Sequence, residues 1–219
     1  MKKETTISIL NFLYDHLTHV TIENEYFLPS KGPVIIAMNH TSWLDFPALL
    51  YLKRRNDIKV FAASRFKNVF PVNIICNNTG MIYIDRSTMD FTAIHQALNW
   101  IQEGKILALA PEGTNSNDGK LLKGKPGTIL LAIKSGVSIC PAGITGAEHV
   151  LQDYKNFKKP DLSIRFGTAY KIENTNDYNR KEYVEKCTTD LMCRIAALLP
   201  EQNRGYYMNN PLISKYLKS

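Results

Sequence analysis

The stretch VIIAMNHTSWLD, residues 34–45, joins a short apolar run to a cluster of polar side chains. Residues 34–38 form a short run in which every residue is apolar, which predicts a strand buried on both faces, as in a parallel sheet. The turn after it carries His40 and Asp45, five positions apart. Two interpretations are open: the pair performs acid–base chemistry, or Ser42 and Asp45 form a capping box that opens a helix.

Pro47 bears on where that helix begins. If Ser42 were the N-cap, Pro47 would be the fifth helical residue, where it lacks the N–H that bonds back to Trp43 and crowds that carbonyl. With Asp45 as the N-cap, Pro47 lies in the first turn, where proline is tolerated. We therefore predict that Asp45 caps the helix while its carboxylate folds back toward the imidazole of His40.

Apolar runs and amphipathic stretches alternate along the rest of the chain. The predicted strands cover residues 34–38, 58–63, 81–84, 106–110, 137–144 and 162–172, and the predicted helices cover 5–20, 46–55, 88–102, 128–134 and 179–198. Strands that alternate with helices are typical of an α/β fold, so we expect a layered α/β/α domain around a largely parallel or mixed sheet. We expect Pro141 to break or end its strand.

The chain divides into one domain over residues 1–219, since it shows no internal repeat and no low-complexity linker. Residues 1–22 contain an amphipathic helix, whose apolar face either packs on the domain or enters a membrane interface. Residues 200–219 follow Pro200 as a C-terminal tail. The helix predicted over residues 46–55 ends in Lys53, Arg54 and Arg55, which suits the negative end of a helix dipole.

The net charge and the spacing of the cysteines and histidines limit which ligands the protein is expected to bind. A net charge of +7 over 219 residues implies attraction to polyanions, either nucleic acid or an anionic membrane surface. The cysteines form no C-x-x-C pair and the histidines show no metal-ligand spacing, so we expect no metal site. Neither a signal peptide nor an apolar run of roughly 18 residues, the length of a membrane span, is found.

Other catalytic motifs are missing from the sequence. There is no G-x-S-x-G elbow of a serine hydrolase and no glycine-rich loop of the dinucleotide or P-loop type. His95 falls inside a predicted helix, where a surface or core role is expected. A nucleic-acid interface needs exposed aromatic residues among its cations, and the aromatic residues near the basic clusters fit core positions as well.

Three polar clusters directly follow predicted strands. They are residues 40–45, Asp85-Arg86 and residues 111–114. Ligands of open α/β sheets bind outside the carboxyl ends of the strands. If these strands are parallel, all three clusters meet at one edge of the sheet, which favours a functional site there.

Four stretches together resemble the glycerolipid acyltransferase family, which includes the 1-acylglycerol-3-phosphate acyltransferases. NHTSWLD resembles its N-H-x4-D motif, GMIYIDR (residues 80–86) its G-x-x-x-[IV]-D-R block, and APEGTNS (residues 110–116) its F-P-E-G-T-R-S block. VSICPAGITG (residues 137–146) resembles a fourth block centred on proline. Their order and spacing agree over residues 30–150.

The resemblance implies a site and a reaction. His40 is expected to act as general base and Asp45 to orient it, while Arg86, Glu112, Gly113 and Thr114 bind the acceptor and shape the site. The implied reaction moves a fatty acyl group from acyl-CoA or acyl-carrier protein to the hydroxyl of a lysophospholipid. We expect no cofactor, because the acyl thioester is a co-substrate, and no nucleic-acid partner. The expected location is the cytoplasmic side of a membrane, as a peripheral protein on its anionic surface.

Two departures from the family pattern concern the acceptor. The third block usually carries an arginine where this chain has Asn115, and a family lysine is matched by Ser64. Both cations are associated with the acceptor phosphate, and losing a bidentate arginine removes a strong charge-assisted contact. Either other cations, among them Arg65, Arg86, Lys123 and Lys125, take over this contact, or the acceptor is a different lysolipid. A non-catalytic lipid-binding module on the same fold is the second interpretation.

Overall fold

A central β-sheet organises the chain. The computed structural model describes residues 3–85, 88, 90–116, 118–173 and 180–217. Within these residues the sheet has seven strands. They are β1 (His19–Glu23), β2 (Val34–Met38), β3 (Ile58–Ala63), β4 (Ile82–Ile84), β5 (Ile106–Leu109), β6 (Ser138–Thr145) and β7 (Asp161–Phe166), in the order β1-β7-β6-β2-β5-β3-β4.

The sheet is mixed. Strands β6, β2, β5, β3 and β4 run parallel to one another, whereas β7 is antiparallel to β6 and carries the parallel strand β1 at its outer edge. The carboxyl ends of the five parallel strands therefore meet at one edge, as the sequence predicts.

Helices cover both faces of the sheet. They are α1 (Lys3–Leu17), α2 (Asp45–Leu49), α3 (Val72–Thr79), α4 (Phe91–Gln102), α5 (Gly127–Ser135), α6 (Val150–Lys155), α7 (Arg180–Ala197) and α8 (Leu212–Tyr216). One apolar cluster packs α4, α5, α7 and α8 on one face, and a second packs α1, α2 and α6 on the other. The layered α/β/α architecture is confirmed.

Strand β2 contributes side chains to both apolar clusters. All five of its residues are 0% exposed. Ile35 and Ala37 belong to the first cluster, while Val34, Ile36 and Met38 belong to the second, which is the period-two alternation of a strand. The prediction of a strand buried on both faces is confirmed.

Several element boundaries differ from the prediction. The first helix ends at Leu17, and the chain continues as β1, which pairs with β7. The helix predicted to reach residue 55 ends at Leu49. Arg55 is instead buried, because its guanidinium pairs with both oxygens of Asp57 at 2.7 and 2.6 Å and donates to Gly32 O at 2.9 Å.

The region around Pro141 also departs from the prediction. Strand β6 runs through Pro141 without a break, because Pro141 lies one residue beyond the last regular β6–β7 pair, Ala142 with Phe166, so its missing N–H removes a bond only at the end of that ladder. Pro141 O accepts from Gly167 N at 2.9 Å. The strand predicted over residues 162–172 ends at Phe166, and beyond it only a single bridge joins Tyr170 to Ile139.

Candidate active site

The site lies at the carboxyl edge of the sheet, where β2, β5 and β6 end. His40 and Asp45 follow β2, and Glu112 follows β5. These three residues form one hydrogen-bonded group. Asp85 follows β4, which β5 and β3 separate from β2. Arg86, which was predicted to bind the acceptor, lies outside the described residues.

His40 and Asp45 form a buried pair. Nδ1 of His40 lies 2.9 Å from Oδ2 of Asp45, and Asp45 is 0% exposed. Since a carboxylate only accepts, Nδ1 is the donor, and in the neutral imidazole the other ring nitrogen, Nε2, carries a lone pair. Nε2 has no hydrogen bond to any residue within the described ranges. The ring of Phe46 packs against the imidazole with centroids 4.9 Å apart.

Asp45 shapes the turn rather than capping the helix, so the N-cap prediction is wrong. Leu44 is the N-cap of α2, and Asp45 is its first residue. Oδ2 of Asp45 accepts from the backbone N–H groups of Thr41 and Ser42 at 2.7 and 2.8 Å, in addition to His40. The carboxylate is thus turned back into the preceding turn, because three donors converge on one oxygen there.

Half of the alternative capping box is present. Ser42 N–H donates to Asp45, as in that motif, but Asp45 N–H donates to the backbone oxygen of Ser42 at 3.1 Å rather than to its hydroxyl. The Ser42 hydroxyl accepts from Leu44 N at 3.3 Å. The Tyr14 hydroxyl of α1 donates to Leu44 O at 2.9 Å, which ties the turn to the first helix.

Glu112 joins the turn that carries His40 to the loop after β5. It is 1% exposed, and its two oxygens accept from His40 N at 2.8 Å and from Leu122 N at 2.7 Å. Burial is the main cause that raises the pKa of Glu112 to about 7, and the two backbone donors oppose this shift. Both oxygens are occupied by the chain itself, which favours a positioning role for Glu112 over direct contact with an acceptor.

Two residues that sequence reasoning did not single out complete the support of His40. Asn39 Nδ2 donates to Ile144 O at 2.8 Å and Asn39 Oδ1 accepts from Ile144 N at 2.7 Å, so the amide extends the β2–β6 ladder. Ser116 N donates to His40 O at 2.8 Å. Two signals for Asn39 were available: it is a polar residue at the end of a buried strand, and it is the first residue of the N-H-x4-D motif.

Gly113 and Thr114 occupy the turn after Glu112. Gly113 has a φ of +70°, and a Cβ at that position would lie 3.1 Å from both Cδ and Nζ of Lys125. The absence of a side chain therefore lets the lysine lie across the turn. Thr114 is exposed, and its hydroxyl has no hydrogen bond to the described part of the chain.

The cations near Ser64 lie further along the edge. The guanidinium of Arg65 stands 5.0 Å from the ring centre of Phe66, and the ammonium of Lys67 stands 5.3 Å from that of Tyr83. Ser64 and Lys67 line a shallow polar hollow together with Met81, Tyr83, Asp90, Thr92, Ala93 and Gln96.

Comparison with known proteins decides the family. The sequence matches the acyltransferase family model over residues 19–145, more than half of the chain. The chain belongs to the acyltransferase family. The matched region of this acyltransferase contains His40, Asp45 and Glu112, whereas α7 and α8 lie beyond it.

Relatives of this acyltransferase carry a common name. A 1-acyl-sn-glycerol-3-phosphate acyltransferase of Borreliella burgdorferi is 29% identical over 173 residues, which cover 74% of this chain and 69% of that protein. The chloroplastic LPAT1 of Arabidopsis thaliana, of the same name, is 29% identical over 140 residues, 60% of this chain and 37% of that protein. The acyltransferase thus spans little more than a third of the plant relative's length.

The fold also matches a solved structure. The 1-acyl-sn-glycerophosphate acyltransferase PlsC of Thermotoga maritima superimposes with a TM-score of 0.64 at 20% identity, covering 85% of this chain and 76% of that one. The mixed sheet with helices on both faces is therefore the fold of that protein. The acyltransferase is an enzyme similar to the 1-acyl-sn-glycerol-3-phosphate acyltransferases.

Two further observations concern metal sites and membrane-spanning helices. Among the described residues, no three His, Cys, Asp or Glu side chains are grouped closely enough to bind a metal ion. In the same part of the chain, no helix has the length and apolar character needed to cross a membrane.

Proposed function

We propose that this acyltransferase moves a fatty acyl group from acyl-CoA or acyl-carrier protein to the free hydroxyl of 1-acylglycerol-3-phosphate, giving phosphatidic acid. The observation that carries the proposal is the buried hydrogen bond between His40 and Asp45 at the carboxyl edge of the sheet. The names of the relatives support the choice of acceptor.

The pair supplies a general base. Asp45 accepts from Nδ1 of His40, so Nε2 is free to take the proton of the acceptor hydroxyl. The oxygen of that hydroxyl then attacks the thioester carbonyl and forms a new C–O bond. The tetrahedral intermediate expels the thiolate, which takes the proton back from the imidazolium and leaves as the thiol. The charge of Asp45 stabilises the imidazolium between these two steps.

Lys125 is the proposed contact for the acceptor phosphate. Its ammonium lies over Gly113, next to Glu112, which is hydrogen-bonded to His40. Lys125 has no ion pair with any acidic residue of the described chain, so its charge is available to an anionic ligand. A phosphate contact from Lys125 would substitute for the family arginine that Asn115 replaces, although as a point charge rather than as a fork.

The proposed membrane-contacting surface is formed by the outer face of α1 and by the end of α6. On α1, Leu10 and Tyr14 are buried, whereas Phe12 and Leu17 are 59% and 47% exposed. The Tyr154 hydroxyl of α6 donates to Leu17 O at 2.7 Å, which joins the two helices. The inner face of α1 packs on the domain, and the outer face is the one that we propose for the membrane interface.

Phe157 stands at the tip of this surface. It is completely exposed and has a φ of +55°, a left-handed conformation that is uncommon for a residue with a bulky side chain. Exposed lysines flank it in the sequence at positions 155, 158 and 159. An apolar ring among cations is complementary to an anionic bilayer, where the ring enters the headgroup region and the ammonium groups meet the lipid phosphates.

The general base is tested by replacing the histidine. Because acid–base catalysis contributes roughly 10²- to 10⁴-fold, His40→Ala is expected to lower turnover of acyl-CoA and lysophosphatidate by that factor. His95→Ala, which removes an exposed imidazole from α4, serves as the control and retains activity. Undiminished turnover in His40→Ala would contradict the mechanism. Wild-type protein that binds anionic vesicles but transfers no acyl group would favour the lipid-binding module.

The phosphate contact is tested by Lys125→Met. Losing one charge-assisted contact is expected to raise KM for lysophosphatidate roughly tenfold, while KM for monoacylglycerol, which lacks the phosphate, stays unchanged. Lys134→Met removes the same charge from the far end of α5 and is the matched control. An unchanged KM for lysophosphatidate, or an equal rise for both acceptors, would refute the assignment to Lys125.

The membrane surface is tested by Phe157→Ser. Burying a fully exposed phenylalanine contributes about 1.5–3 kcal/mol, so the variant is expected to bind phosphatidylglycerol vesicles at least tenfold more weakly in a sedimentation assay. Phe91→Ser changes a residue that is 72% exposed on α4, across the sheet, and should bind as wild type does. Equal binding by Phe157→Ser and wild type would show that this tip does not meet the bilayer.

A further inference from the structure

A segment beyond the matched family region contacts the loop that holds Glu112. After α7, residues 203–207 form a short C-terminal strap, made of the end of one 3-10 turn and the whole of the next. The strap lies against residues 119–124, which belong to the connection between β5 and α5. Residues 119–124 have no regular secondary structure, so their backbone groups need partners from elsewhere.

The strap supplies several of these partners. Leu121 N donates to Asn203 O and Leu121 O accepts from Tyr206 N, both at 2.9 Å. Gly124 N donates to the hydroxyl of Tyr207 at 3.0 Å. The Asn203 amide adds a bond to Gly119 O at 2.9 Å.

The other side of the same loop faces the catalytic turn. Leu122 N donates to Glu112 Oε2 at 2.7 Å, and Lys125 N donates to Pro111 O at 2.8 Å. Oε1 of Glu112 accepts in turn from His40 N at 2.8 Å. Backbone groups along the loop are therefore bonded to the strap on one side and to Glu112 and Pro111 on the other.

The backbones of the strap and the loop are in close contact at Gly205. Gly205 has a φ of +46°, and a Cβ there would lie 2.3 Å from Leu121 O and 2.7 Å from Leu121 N. Tyr207 is 4% exposed and packs in the same apolar cluster as Leu121. Across the loop, a Cβ at Gly124 would lie 2.5 Å from Cγ of Met192 on α7. A shift of the strap therefore forces a shift of the loop.

We infer that the strap is a positioning element of the active site, which acts through residues 119–124 on Glu112 and thereby fixes the backbone of His40. The inference rests on the proposed acyl transfer for its catalytic consequence. Tyr207 is the positioning residue whose side chain tests it best, because its hydroxyl alone accepts the Gly124 N–H, while its ring contributes to the core. Its role differs from that of a catalytic residue, since it is not proposed to touch a substrate.

Tyr207→Phe keeps the ring and removes the hydroxyl. Because small misplacements of catalytic groups lower the chemical step steeply, kcat is expected to fall roughly tenfold, with KM for acyl-CoA changed less than about twofold. Tyr216→Phe is the matched control: it removes another tail hydroxyl, which donates to Asp190 on α7, whereas the bonds from the strap to residues 119–124 come from Asn203, Tyr206 and Tyr207. The thermal stability of Tyr216→Phe should fall at least as much as that of Tyr207→Phe, while its kcat stays unchanged.

Backbone hydrogen exchange provides a readout that needs no substrate. In Tyr207→Phe, exchange at the amides of Leu122, Gly124 and His40 is expected to accelerate roughly tenfold relative to wild type and to Tyr216→Phe. If Tyr207→Phe keeps the kcat and the exchange rates of the wild type, the inference is overturned. It is also overturned if both variants lose kcat in proportion to their loss of thermal stability. If the wild type transfers no acyl group, the proposed function fails, and the exchange rates still decide whether the strap holds the loop.

Discussion

The carboxylate of Asp45 is the group on which the geometry of the site depends. A buried carboxylate is strongly destabilising unless hydrogen bonds compensate for its lost hydration. Three donors, His40 Nδ1 and the N–H groups of Thr41 and Ser42, converge on Oδ2 of Asp45. The turn must fold around that oxygen to supply them. The orientation of the imidazole is thus a consequence of solvating one buried charge.

The surrounding structure holds this turn in place. Strand β2, buried on both faces, delivers residue 39 to the carboxyl edge, where the amide of Asn39 continues the ladder with β6. Glu112 then joins the turn to the loop after β5. Helices pack on both faces of the sheet that carries this edge, which gives the site a buried scaffold of parallel strands.

Local sequence patterns predicted the parts of the fold that depend on local physics. The strand at residues 34–38, the alternation of strands and helices, and the helices around residues 91–102 and 180–197 follow from apolar periodicity alone. The helix at residues 46–55 was overestimated, because the cations taken for a helix end include Arg55, which is committed to a buried pair with Asp57. Strand β1 was missed, since its pairing with β7 joins residues more than 130 positions apart.

The same distinction applies to the site. The proximity of His40 and Asp45 was predictable, since five residues and one proline constrain the turn. The return of the Asp45 carboxylate toward His40 was predicted with it. The N-cap of α2 was not, because positions 44 and 45 are neighbours and spacing does not separate them. The links from Glu112 to His40 and from Tyr207 to Gly124 span 72 and 83 residues, so they emerge only from the tertiary structure.

The position of the proton on His40 tests the central claim most directly. Nitrogen-15 NMR of histidine-labelled protein at neutral pH distinguishes the two neutral tautomers, and His40→Ala assigns the signal. The hydrogen bond to Asp45 predicts a proton on Nδ1, shifted downfield by that bond, with an unprotonated Nε2 ready to accept the hydroxyl proton. A neutral His40 that carries its proton on Nε2 would contradict the account, because Nδ1 would then have no proton to donate to the carboxylate.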